Sequence, residues 1–318
     1  MAARSAVLAV SVAGAGAAPA QSVEDLVRDV FRAEVGTGAV TNGFQALSIV
    51  GGAPGISAAS FSVDDDDFAF DVYKISPSHA FEVGWSGVRP YAEISLGYLD
   101  ADQDFTFRFP SGGTDLDLDI HVLTALAGAG VEFDIAPGTV VRPIALFGYS
   151  RITDDAELVG PEAELLAAAG EGLLFDVEID SLLYGAALAV ETDQTIGEDI
   201  ALNASLRYSH LVDDVIDASE PELEGTNDFG TLTAGVELDG PIGLSVFGRE
   251  LRWIGFASHT YLPGEKDALG FSYFFELGGG VEIVDRDVLS FIEGVSLRGS
   301  GIVGNGVTGF TAGATIEF

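Results

Sequence analysis

The chain contains no cysteine, a single methionine and two tryptophans, and its 14 lysines and arginines stand against 50 aspartates and glutamates. Without cysteine there is no disulfide, no thiolate metal site and no thiol nucleophile. The shortage of basic residues leaves a formal net charge of −36 over 318 residues. Such a balance disfavours nucleic acid and anionic headgroups as direct electrostatic partners and attracts divalent cations instead. Long apolar runs are missing as well: beyond position 20 no stretch reaches the ~20 consecutive apolar residues of a transmembrane helix. Mean hydropathy is nevertheless +0.33, so apolar residues must be interleaved with polar ones.

The interleaving has period two. At 88–98, Val88, Pro90, Ala92, Ile94, Leu96 and Tyr98 alternate with Arg89, Tyr91, Glu93, Ser95 and Gly97. At 200–209, Ile200, Leu202, Ala204, Leu206 and Tyr208 oppose Asn203, Ser205, Arg207 and Ser209. At 269–283, Leu269, Phe271, Tyr273, Phe275, Leu277, Val281 and Ile283 oppose Ser272, Glu276, Gly278, Gly280 and Glu282. The last ten residues, GFTAGATIEF, alternate as well and put Phe310, Ala312, Ala314, Ile316 and Phe318 on one face. Segments of ~10 residues with lipid on one side and a polar interior on the other are the signature of a transmembrane β-strand.

Candidate strands fall at 56–63, 67–75, 88–99, 117–135, 139–151, 174–192, 198–211, 229–240, 243–261, 267–284, 288–299 and 307–318. The expected fold is therefore all-β: a transmembrane antiparallel up-and-down β-barrel of about 12 strands with a short N-terminal helix. An even count returns both barrel ends to the periplasm. Connections alternate in size, with short ones at 136–139, 193–198, 239–242 and 284–287 and long acidic ones at 154–172 and 212–228. The sequence GRELRW at 248–253 breaks the alternation, so a β-bulge or a register shift is expected there.

Residues 1–20 have a basic start at Arg4, an apolar run and small residues at Ala18 and Ala20, the pattern of a secretory signal peptide cut before Gln21. Residues 21–55 are expected to hold a helix and linker, the helix either plugging the lumen or lying against the periplasmic rim or another protein, and 56–318 the barrel. The helix is placed at 22–35, where Val23, Leu26, Val27, Val30 and Phe31 recur at helical spacing behind a Ser22 cap. A second helix is expected at 161–169, opened by Pro161 within the longest outer loop.

The terminal Phe318, with Ile316, Ala314 and Phe310 at alternate positions before it, resembles the C-terminal signal of bacterial outer-membrane proteins that the barrel-assembly machinery reads. The strand count and the preceding helix resemble the translocator domain of autotransporters over residues 57–318. The resemblance implies an outer-membrane location, contact with membrane lipid and lipopolysaccharide, and delivery by the assembly machinery. Only about 35 residues separate the expected cleavage site from the first strand, too few for a secreted passenger, so a solitary barrel is expected.

Inward parity places Arg89, Arg142, Arg207 and Arg298 in the lumen with Glu93, Glu132, Glu237, Glu276, Glu282 and Glu317. If water fills the bore, it prefers cations; if these charges pair, they seal it. For catalysis there is little: the four histidines are His79, His121, His210 and His259, and the adjacent Ser209 and His210 must point to opposite faces of a strand. No enzyme and no cofactor is expected. Asp64, Asp65, Asp66 and Asp67, and the aspartates at 115–119, are weak candidates for loosely held divalent cations at outer loops. Two roles follow: a structural or surface-exposed membrane protein, or a narrow cation-preferring channel.

Overall fold

The structure, a computed structural model, describes residues 27–29, 39–50, 55–63, 68–109, 111–197, 199–246, 249–284 and 294–317. Its strands are β1 (Gly55–Val63), β2 (Phe68–Ser76), β3 (Ser78–Ala80), β4 (Val88–Phe109), β5 (Gly112–Ala136), β6 (Thr139–Val159) and β7 (Glu178–Ile196). These are followed by β8 (Ile200–Ala218), β9 (Thr226–Val246), β10 (Arg249–Tyr261), β11 (Tyr273–Val284), β12 (Gly294–Gly304) and β13 (Val307–Glu317). Among the described residues the helices with both ends defined are α1 (Ala39–Val50), α2 (Ala163–Gly170) and the single turn α3 (Lys266–Leu269).

Except for β2 and β3, which do not pair with each other, each strand pairs antiparallel with its sequence neighbours, and β1 also pairs with β13, Ile56 opposite Ala314 through Val63 opposite Val307. With β2 bonded to β4, the ring closes as a 12-strand barrel plus one extra short strand. That extra strand continues β2 along the same neighbour: Ile75 sits opposite Leu96 and Ser78 opposite Glu93, both on β4. Pro77 separates the two because it has no N–H to give to the ladder. Its carbonyl still accepts from the Ile94 N–H at 3.0 Å. Closure leaves no sheet edge, as a strand surrounded by lipid requires.

The pleat gives the barrel two surfaces. Outward, apolar side chains lie bare: Leu277 at 73 %, Phe310 at 63 %, Leu297 at 62 % and Phe147 at 61 % exposure. Inward, the alternate residues are buried. At one end of the barrel β5 and β6, β7 and β8, and β9 and β10 follow each other within two or three residues, and the other end carries α2, α3 and the 3-10 turn Pro221–Leu223. Short turns belong to the periplasmic side and elaborate loops to the outer side.

Several expectations are corrected. The long acidic segments at 154–172 and 212–228 each begin as strand, because β6 runs on to Val159 and β8 to Ala218. β4 and β5 likewise extend to Phe109 and back from Gly112, far beyond the ~9–11 residues a bilayer needs. Above the membrane the outer face meets water instead of lipid, so these extensions are acidic while their ladders remain intact. Residues 239–242 lie inside β9, which runs on to Val246, and the expected irregularity is real: the β9–β10 register shifts between Leu251 and Arg252. The segment expected as strand at 267–272 is instead α3 and the chain after it, and Leu269 and Phe271 point inward, fully buried.

The barrel lumen as candidate functional site

Helix α1 lies inside the barrel, touching β2, β4, β5, β9 and α3 at once. The sequence reading put this stretch in a linker and the helix at 22–35, of which only residues 27–29 are described, and they are helical. α1 runs inward from the outer mouth, where Phe44 meets Phe68 at 5.8 Å, to mid-lumen, where Ser48 donates to Gln45 O at 2.8 Å and meets Thr124 Oγ1 at 2.9 Å. Backbone meets backbone there: a Cβ on Gly97 would stand 2.0 Å from the Ser48 carbonyl oxygen. At the mouth Gly43 plays the same part, its missing Cβ leaving room for the Leu269 side chain.

The outer half of the lumen is apolar. Phe61 stacks on Phe70 at 4.6 Å and meets Phe274 edge-on at 5.5 Å, while Phe271, from the loop over the mouth, stacks on Phe70 at 6.2 Å. An amphipathic or apolar helix therefore finds a matching wall there. Ring pairs of this geometry add ~0.5–1.5 kcal/mol each beyond burial. Glu265 is buried beside Gly43 in this cap, its Oε2 without a hydrogen-bond partner among the described residues, and burial lifts its carboxyl to about 7.

Charge fills the periplasmic half. Arg89 bonds Glu132 at 2.6 Å, Asp134 at 2.9 Å and Glu82 at 3.4 Å. Arg142 is held between Glu132 and Glu191 and lies 5.0 Å over the Tyr91 ring. Arg207, on β8, reaches Glu93 on β4 with two parallel bonds of 2.7 and 2.6 Å. Three strands separate these partners in the sheet, so the pair crosses the bore. Arg298 on β12 bonds Glu237 on β9 across the two intervening strands. Glu276 accepts from Thr311 at 2.8 Å, Ser258 at 3.4 Å and Ser300, and Glu282 is buried near Gly294.

Sequence parity did not select Lys74, Glu191 or Arg252, the last bonded to Asp239 at 2.5 Å. Lys74 and Glu191 alternate correctly with their neighbours, so extending the same rule to β2 and β7 finds them. Nothing in the pattern singles out Gln45, whose Nε2 donates to Asp213 at 3.4 Å deep in the lumen.

Phe310 is on the outer face, Ile316 is opposite Val295 in the β12–β13 ladder, and Phe318 lies outside the described residues. Asp64, Asp65, Asp66 and Asp67 also lie outside them. Asp115, Asp117 and Asp119 stand on the water-exposed extension of β5, and among the described residues no group of three His, Asp or Glu side chains gathers to hold a metal. Ser209 faces the lumen and accepts from Arg207 Nε at 3.1 Å, whereas His210 faces out, 3.7 Å from Asp228. His121, outside, meets Asp100 at 2.7 Å and Tyr98 at 3.2 Å.

A closed barrel with a bare apolar exterior and a packed interior defines an integral membrane barrel, here of the bacterial outer membrane. The chain matches no family model and no curated protein. Among solved structures it is similar to the transport unit of the autotransporter AIDA-I from Escherichia coli, with TM-score 0.51, 11 % identity and coverage of 89 % of this chain and 99 % of that one. The translocator domain of NalP from Neisseria meningitidis aligns at TM-score 0.48 and 12 % identity over 93 % and 100 % of the two chains. The β-domain of the Bordetella autotransporter BrkA aligns at 0.48 and 16 % over 83 % and 99 %. The fold is that of autotransporter translocator barrels.

Proposed function

We propose that this protein is a surface-exposed outer-membrane barrel of translocator type with a closed lumen, acting as a structural or display element and not as an enzyme. The observation that carries this reading is the Arg207–Glu93 bridge across the bore, with α1 and the phenylalanine cluster stacked above it. Residues 1–20 would direct export, 21–55 would supply the lumen-filling segment, and the alternate residues Phe310, Ile316 and Phe318 would be offered to the barrel-assembly machinery. Lipid and lipopolysaccharide are the expected surroundings, with divalent cations at the acidic outer extensions.

A narrow cation-preferring channel is the second reading. It is favoured by the carboxylates Glu82, Glu132, Asp134 and Glu191 around only two guanidiniums, Arg89 and Arg142. Planar-bilayer recording of refolded protein separates the two. The closed reading expects no steady conductance from the intact protein and cation-selective steps once residues 39–50 are deleted. Steady conductance from the intact protein would favour the channel.

A further inference from the structure

We propose that the outer loops form a latch for the chain's own segment at 27–29, holding it on the external face of the barrel. This rests on the reading in which α1 fills the lumen and the elaborated loops lie outside. A second apolar cluster, separate from the lumen core, is built from Leu116 on β5, Leu166 and Ala169 on α2, and Phe175 beyond it. Its remaining member is Val27, 1 % exposed. All of its partners belong to the extramembrane part of the barrel, so Val27 is packed on the outer side.

The next residue fixes the segment by charge. A helix leaves its last carbonyls without partners and carries partial negative charge at that end. Arg28 Nη1 donates to Ala169 O at 3.2 Å and to Glu171 O at 3.1 Å, at the end of α2. Its Nη2 bonds Glu220 at 2.6 Å, in the loop between β8 and β9. The same two loops are tied directly, Ser219 Oγ donating to Gly172 O at 2.7 Å. One guanidinium thus joins the N-terminal segment to two outer loops, and the socket selects an apolar residue followed by a cation. The latch also anchors the lumen helix from outside, while β1 anchors it from the periplasmic end.

The absence of native cysteine makes single-cysteine reporters clean. In intact cells, a membrane-impermeant maleimide should label Gly225→Cys, in an exposed outer loop, at once. Val27→Cys should react roughly tenfold more slowly or less, and adding Arg28→Ala should restore fast labelling, a gain of about tenfold, as loss of charge-assisted hydrogen bonds implies. Heat-modifiable gel mobility would verify that each variant is a folded barrel. The latch is overturned if Val27→Cys reacts as fast as Gly225→Cys with Arg28 present, if Arg28→Ala changes nothing, or if position 27 reacts only after the outer membrane is permeabilised. Failure of Gly225→Cys itself to react on intact cells would overturn the orientation of the barrel, and the latch with it.

Discussion

Arg207 and Glu93 illustrate what single residues contribute to the bore. Both groups leave bulk water, with side chains 32 % and 14 % exposed, and their attraction offsets that desolvation only while both are present. Glu93→Gln should therefore lower stability by roughly 1–3 kcal/mol, because it leaves the guanidinium uncompensated. Pairing Glu93→Leu with Arg207→Met should recover most of the loss in urea unfolding from lipid vesicles. Glu265 gives a pH dependence with a definite sign. Its folded-state carboxyl is raised to about 7 from an ordinary 4.5, so the folded state binds the extra proton between those values. Stability from this group is complete below about 4.5 and is lost as pH rises through 7. Unfolding midpoints of the wild type should fall between pH 5 and 8, and those of Glu265→Gln should stay flatter over the same range.

At the scale of the element, β11 separates the two faces within adjacent residues. Leu277, bare and in the middle of the strand, becomes a charge in lipid when changed to arginine, at a cost of ~2–4 kcal/mol near the midplane. Glu276→Leu removes one acceptor from three hydroxyls and should cost only about 1–2 kcal/mol. Refolding yields of the two variants should differ sharply, and equal tolerance would mean the faces are reversed. This parity was legible from sequence in β4, β8, β11 and β13 because lipid and lumen demand opposite chemistry at every step. Strand ends were not legible: Leu116 and Leu118 face in while Asp115, Asp117 and Asp119 face water, and an acidic stretch beyond the bilayer reads as loop even when its ladder continues. Leu269 and Phe271 kept the alternation beyond the strand because the mouth cap also needs apolar residues, pointing the other way. The stretch that forms helix α1 was assigned to the linker, and as a helix it pairs its own backbone within the bore.

For the whole molecule, assembly and closure can be separated. Deleting Phe318 should leave folding into lipid vesicles nearly unchanged, since the remaining strands supply the lipid face, and should strongly reduce insertion in cells, with protein retained in the periplasm. Unchanged cellular insertion would reduce the terminal phenylalanine to ordinary sheet packing. The central claim is that α1 occupies the bore of a closed barrel, against β5. Ser48 Oγ and Thr124 Oγ1 stand 2.9 Å apart, so in this cysteine-free chain the pair Ser48→Cys and Thr124→Cys tests it most directly. Mild oxidation of the membrane-assembled protein should give a near-complete intramolecular disulfide, seen as a mobility shift reversed by reductant. Two free, maleimide-reactive cysteines in a correctly folded barrel would contradict the account.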